Sequence, residues 1–123
     1  MSNILLVGLG GAVGSVLRYL VSLAVAHRFD HRWPAGTFTV NITGSFLIGL
    51  LAGLLLRFEA PNSWRLLLVT GFLGGYTTFS ALESETLTLL QAGDWPRALA
   101  YPLLSVVVGF GAVAGGAFLS RAF

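Results

Sequence analysis

Four charge-poor apolar runs, at about 4–26, 35–56, 66–92 and 98–120, account for most of this chain. Each is near or above the ~20 residues that a helix needs to cross the hydrocarbon core of a bilayer. Lipid offers no partner for backbone N–H and C=O groups, so a run of this kind must satisfy them internally, as a helix. The expectation is an all-α membrane protein with a single transmembrane domain over residues 1–123 and four transmembrane helices. The N-terminus, Met1-Ser2-Asn3, lacks the positive leading region of a signal peptide, and apolar spacing continues past Arg18 to Ala26. The first run therefore reads as a retained span.

Composition agrees. The chain is 55% hydrophobic and only 10% charged, against the roughly 25% charged residues of a soluble domain. Its basic residues are seven scattered arginines, which form no basic face and so give no sign of nucleic-acid binding. There is no cysteine, which excludes disulfides, thiolate metal sites and cysteine nucleophiles. The separators, HRFDHRWP at 27–34, RFEAPNSWR at 57–65 and AGDWPR at 92–97, hold three prolines and the three tryptophans. Proline is harmless where a helix starts, and tryptophan favours the membrane interface.

Four spans place Arg57, Arg65 and Arg121 on one side of the membrane and Arg28, Arg32 and Arg97 on the other. Such a balance gives the positive-inside rule almost nothing to act on. The plainer reading is a weakly biased protein oriented by the insertion machinery. The sharper one is dual topology, in which two oppositely inserted copies pair as an antiparallel homodimer. Four thin helices make a poor pore alone, which favours the dimer.

The third run carries the chemistry. Its segment 71–85, GFLGGYTTFSALESE, holds Gly71, Gly74 and Gly75, then Thr77 and Thr78, then Glu83 and Glu85. These residues weaken a helix and bring carboxylates into the membrane, so a third helix broken mid-membrane is expected. Irregular backbone and ionisable groups are tolerated at that depth only where protein or a watery path surrounds them. In the second run Thr37, Asn41, Ser45, Gly49 and Gly53 recur every four residues, a small and polar stripe suited to close helix contact. Gly8, Gly11, Ala12 and Ser15 offer a similar face on the first run, and Tyr101, Ser105, Gly109, Ala112 and Gly116 on the fourth. Packing explains glycines. It does not explain Asn41, whose mid-span amide points to a polar track. Arg18 has two readings: its stem carries the charge out to a headgroup, or it forms an electropositive vestibule for anions.

Other motifs carry less. VGLGGAVG at 7–14 resembles a dinucleotide fingerprint, but its third glycine is one place late and no strand can precede it inside a span. His27, Asp30 and His31 have the spacing of a metal site but lie in a short interfacial loop, where solvated side chains are the usual case. No Ser–His–Asp arrangement is visible in the membrane part, so an enzyme is not expected.

Taken together, GGAVGSVLRY at 10–19, GTFTVNITGSFLIG at 36–49 and GFLGGYTTFS at 71–80 resemble the small bacterial fluoride channel family. The likeness covers essentially the whole chain, and the combination of GTxxVN with GGxTTFS is its specific part. It implies four helices per chain, a dual-topology dimer and two antiparallel fluoride pathways. It also implies a structural sodium ion (Na+) between the subunits, held by the backbone carbonyls of Gly74 and Thr77. Asn41 matches a pore asparagine and Phe79 the first of two pore phenylalanines. Ser80, Tyr101 and Ser105 match hydroxyl-bearing positions along the path. The family's TTFSTF reads TTFSAL here, so Leu82 stands at the second phenylalanine. Glu85 matches an acidic position and Glu83 has no clear counterpart; the readings open for such a carboxylate are a vestibule position near water, a hydrogen bond to hydroxyls, or a protonated group.

The implied function is passive, fluoride-selective conduction across the bacterial inner membrane, relieving cytoplasmic fluoride that arrives as neutral HF. The chemistry is coherent: a small, strongly hydrated anion needs replacement donors, and the Asn41 N–H, hydroxyls and the positive edge of a phenyl ring supply them. A path without lysine also keeps binding escapable. An alternative is a small dual-topology proton-coupled multidrug exporter, which needs a membrane carboxylate, typically in its first span. Here the first two runs hold no acid, and both membrane glutamates lie in the third. A subunit serving only assembly would leave the polar third run unexplained.

Overall fold

The computed structural model describes residues 2–123, and these contain no strand. Four helices among them are long and apolar enough to cross a membrane: Asn3–Ala26, Ala35–Arg57, Asn62–Gln91 and Trp95–Ser120. The last two begin earlier than hydropathy suggests, because polar residues build their first turns. Pro61 precedes the third helix, and the Asp94 side chain caps the fourth by accepting from the Arg97 N–H. The 57–61 connection is tight enough to hold Glu59 at φ 49°, and the 92–94 turn uses Gly93 at φ 76°.

The packing is inside-out relative to a soluble protein. Val40, Leu73 and Tyr76 form a small buried cluster, with Val21, Leu47, Leu51 and Phe72 packed on it. Large apolar side chains such as Ile4, Val13, Leu103, Val106, Phe110 and Phe118 face outward. That is the arrangement lipid tails select, and helix contact is left to small residues.

Two such contacts organise the bundle. The second and fourth spans run together, and a Cβ at Gly49 or Gly116 would strike the other helix's backbone, at Val113 and Phe46 respectively. The first span lies against the first half of the third, where Gly10 and Gly14 meet the carbonyls of Leu67 and Phe72, and Gly75 meets Gly11. This corrects the expected face of the first span. Gly8 has open space beside it, and Ala12 and Ser15 are exposed. The four-residue spacing of Gly10 and Gly14 was the relevant signal.

The third span is broken, though not by its glycines. An α-turn, Asn62–Trp64, leads into a wider π-helical stretch, Arg65–Leu73, in which bonds run five residues back; the Gly74 N–H, for instance, reaches the Val69 carbonyl. Gly74–Tyr76 is again helical. The chain then becomes extended at Thr77 (φ −81°, ψ 157°) and Thr78 (φ −149°, ψ 119°), and Phe79–Gln91 resumes as an α-helix. Gly71 and Gly75 serve close approach to the first span, and the two threonines make the break.

Candidate ion pathway at the helix break

Breaking a helix in lipid strands backbone groups, and the second span supplies their partners. The Thr78 N–H donates to Asn41 Oδ1 at 2.8 Å, and Asn41 Nδ2 donates to the Thr78 carbonyl at 2.9 Å. One carboxamide thus takes the part of a peptide group and closes the gap. It retains a second N–H, and Asn41 lines the open groove beside the break. Thr78 also caps the second half of the span, its Oγ1 accepting from the Ala81 N–H at 3.2 Å.

These substitutions free two carbonyls. In a continuous helix the Thr78 N–H would bond to the Gly74 carbonyl and the Ala81 N–H to that of Thr77. Both donors go to side chains instead. Gly74 and Thr77, the positions matched to sodium, thus present carbonyl oxygens without those backbone partners, and both line the groove. Neutral oxygens of this type suit a hard monovalent cation, so the donor set fits. One chain supplies only two of them, fewer than a cation's shell requires.

The groove, of about 390 Å³, brings half of the expected pathway residues together: Asn41, Phe79 and Leu82 share it with Ser45, Gly74 and Thr77. Phe79 is 72% exposed and Leu82 only 6%. The first phenyl ring projects outward, while the leucine is a wall of the bundle. Ser80 is exposed, its hydroxyl 3.4 Å from that of Thr78.

Arg18 turns toward the protein. Its Nη1 makes a long contact, 3.5 Å, with the Thr77 carbonyl. The guanidinium therefore lies beside the break.

Tyr101 and Glu85 lie in a second group. Glu85 Oε2 accepts from Tyr101 Oη and Oε1 from Thr37 Oγ1, each at 2.7 Å. The carboxylate thus ties the second, third and fourth spans together. Tyr101 is fully buried and its ring meets Trp33 edge-on, with centroids 5.5 Å apart. Glu85 also floors a cavity of about 240 Å³ that opens at the 27–34 loop beside Asp30 and His31. Ser105, one turn along from Tyr101, has a buried hydroxyl oxygen with no hydrogen-bond partner. Glu83 is exposed.

The residues expected along a pathway therefore divide into the break (Asn41, Phe79, Leu82, with Ser80 beside it) and the Glu85–Tyr101 network with Ser105 further along the fourth span. Thr37 belongs with the second group and was seen in sequence only as part of a packing stripe. Its place one turn from Asn41, on the same face, was the available signal. Thr43 and Tyr76, which bond to each other at 2.9 Å, gave no sequence signal beyond being polar at depth.

Comparison with known proteins places these observations in a family. The family model for CrcB-like protein, Camphor Resistance (CrcB), matches residues 5–117. A fluoride-specific ion channel FluC of Rhizobium meliloti (strain 1021) is 50% identical, over 99% of this chain and 98% of its own length. A protein of the same name from Solibacter usitatus (strain Ellin6076) is 48% identical over 95% of this chain and 97% of its own. Another, from Chloroflexus aurantiacus (strain ATCC 29366 / DSM 635 / J-10-fl), is 47% identical over 100% and 98%.

Proposed function

The chain belongs to the CrcB-like family, and on that premise we propose that it is a fluoride-selective channel, not an enzyme, conducting the ion passively across the membrane its four helices span. The observation that carries this reading is the helix break. Thr77 and Thr78 leave the helix at membrane depth, and a single amide, Asn41, satisfies the severed backbone while lining an open groove with an outward phenyl ring.

Fluoride entering such a path must exchange water for protein donors. Near the break these are the remaining N–H of Asn41, the Ser80 hydroxyl and the positive edge of Phe79. The Arg18 guanidinium, aimed at the Thr77 carbonyl, makes the region attractive to an anion. Further along stands the Ser105 hydroxyl, which lacks a partner. The Tyr101 hydroxyl is already donated to Glu85, so it serves fluoride only by sharing or leaving that carboxylate. All these donors are neutral apart from Arg18, which keeps each binding step weak enough to reverse.

The functional unit in this reading is an antiparallel homodimer of oppositely inserted copies in the bacterial inner membrane. Three arguments support it: the three-against-three arginine balance, a groove carrying Asn41, Thr77 and Thr78 that is open on one face of a single chain, and a carbonyl pair that needs a second pair. The carbonyls of Gly74 and Thr77 from two copies would hold a structural sodium, which supplies fixed positive charge and cross-links the halves. Growth of a fluoride-sensitive strain tests the activity: expression of this chain restores growth in fluoride and gives no protection against quaternary-ammonium drugs. The reverse pattern refutes it.

A further inference from the structure

The segment that carries the break is held at three consecutive residues by one short stretch of the second span. Thr78 is paired with Asn41. The Thr77 methyl rests where a Cβ on Gly44 would be, and the Tyr76 ring lies against the same glycine. The Tyr76 hydroxyl, in turn, meets Thr43 Oγ1 at 2.9 Å. The direction of that last bond follows from the others Thr43 makes. Its hydroxyl hydrogen is directed at the Thr39 carbonyl at 2.7 Å, with the Val40 carbonyl at 3.2 Å. Thr43 is thereby left as acceptor, and Tyr76 donates.

A phenol at this position calls for an explanation. Tyr76 is 5% exposed, stacks on Phe72 with centroids 5.9 Å apart and interplanar angle 8°, and belongs to the buried apolar cluster. Phenylalanine would fill that space without a polar atom to satisfy. The hydroxyl adds one directed bond, to a helix that does not otherwise contact residue 76 through a polar group. Residue 76 is also the last helical residue before Thr77, whose carbonyl is the proposed cation ligand and lies 3.5 Å from Arg18 Nη1. That carbonyl belongs to the 77–78 peptide, whose N–H is held by Asn41, so its aim depends on the Thr77 torsions between that clamp and residue 76; a shift of residue 76 changes those torsions and turns the carbonyl in the groove.

We infer that Tyr76 is a positioning residue: its bond to Thr43 fixes the aim of the Thr77 carbonyl, and with it the affinity of the break for its cation. The inference rests on the sodium reading given above. It gives a role to two residues, Tyr76 and Thr43, that touch neither fluoride nor sodium.

The test is a sodium titration of the purified full-length protein, with N-methylglucamine replacing sodium, read as the melting temperature. A ligand that binds only the folded protein raises this value with concentration. Tyr76→Phe should raise the half-saturating sodium concentration by roughly three- to tenfold, the size of a single directed hydrogen bond. Thr43→Val should do the same, the double variant should do no more than either, and Thr43→Ser, which keeps the hydroxyl, should restore the original midpoint. A purely structural role for Tyr76 would lower the melting temperature at every sodium concentration and leave the midpoint where it was. An unchanged midpoint in Tyr76→Phe and Thr43→Val overturns the inference and leaves the sodium reading intact. A parent protein whose melting temperature ignores sodium overturns both.

Discussion

Asn41 and Thr78 are bonded twice, side-chain amide to main-chain amide, at 2.8 and 2.9 Å across the middle of the membrane. A carboxamide is the smallest side chain that can both give and take in this way. Aspartate keeps the acceptor and loses the donor, which sets a carboxylate against the Thr78 carbonyl. Breaking one such bond while a buried partner stays unsatisfied costs about 1–3 kcal/mol. Asn41→Asp should therefore slow fluoride efflux from liposomes by about tenfold or more while the protein still assembles. Unchanged efflux would remove Asn41 from the pathway.

Phe79 and Leu82 share a groove but differ in burial, 72% against 6% exposed. Phe79→Ala should leave the melting temperature of the isolated subunit fold nearly unchanged and impair fluoride flux. Leu82→Phe is the opposite case. It adds bulk to a filled site, for which overpacking costs typically about 1–3 kcal/mol. The melting temperature should fall, and the concentration at which flux saturates should change. If the melting temperature falls while flux and its saturation stay where they were, Leu82 is wall packing and nothing more.

Glu85 accepts from Thr37 and Tyr101 at once. Glu85→Gln replaces one acceptor oxygen by a donor, so one hydroxyl must turn away. The expected loss is about 1–3 kcal/mol of stability, and Tyr101→Phe combined with it should cost less than the two changes summed. Strict additivity in thermal unfolding would show that the carboxylate and the phenol are not coupled.

The helix contacts make a sharper prediction. A Cβ at Gly14 or Gly116 runs into the neighbouring backbone, whereas one at Gly111 meets nothing within 4 Å. Gly14→Ala and Gly116→Ala should each reduce the yield of folded protein, since backbone cannot move aside as a side chain does. Gly111→Ala should be neutral or slightly stabilising because alanine favours the helix. Equal behaviour of all three in size-exclusion profiles would contradict the packing described.

Outside the membrane, Asp94 caps the fourth span and its carboxylate pairs with Arg97. The hydrogen bond from the Arg97 side chain holds the Asp94 carboxyl below its ordinary value. A depressed folded-state value means that the stabilisation is present above the unfolded value and is lost as pH falls through the folded one. Acidification below the ordinary aspartate range should therefore loosen this helix start, seen as lower amide protection, relative to the intrinsic exchange rate at each pH, near 95–98. Asp94→Asn should show no such pH step.

Much of this arrangement was legible in the sequence, for identifiable reasons. Span number follows from hydropathy because lipid imposes one rule on every backbone group. Asn41 stood out because an amide at mid-span needs a partner. Its partner did not, since Thr78 bonds to it through the main chain, and main-chain groups leave no trace in residue type. Gly71, Gly74 and Gly75 looked like the helix breakers because glycine has low helix propensity. Propensity is overridden where a neighbouring helix needs the space, as Gly11 does beside Gly75. The Thr37–Glu85–Tyr101 network bonds partners up to 48 residues apart, and only the packed bundle brings them together.

The central claim is selective fluoride conduction through the break, and purified protein in liposomes tests it most directly. Fluoride and chloride efflux are followed in parallel with ion-selective electrodes, for the parent chain and for Phe79→Ala. The account predicts rapid fluoride loss with negligible chloride loss from the parent, and slowed fluoride loss from the variant. Absence of fluoride efflux from folded parent protein, or equal loss of both anions, would contradict it.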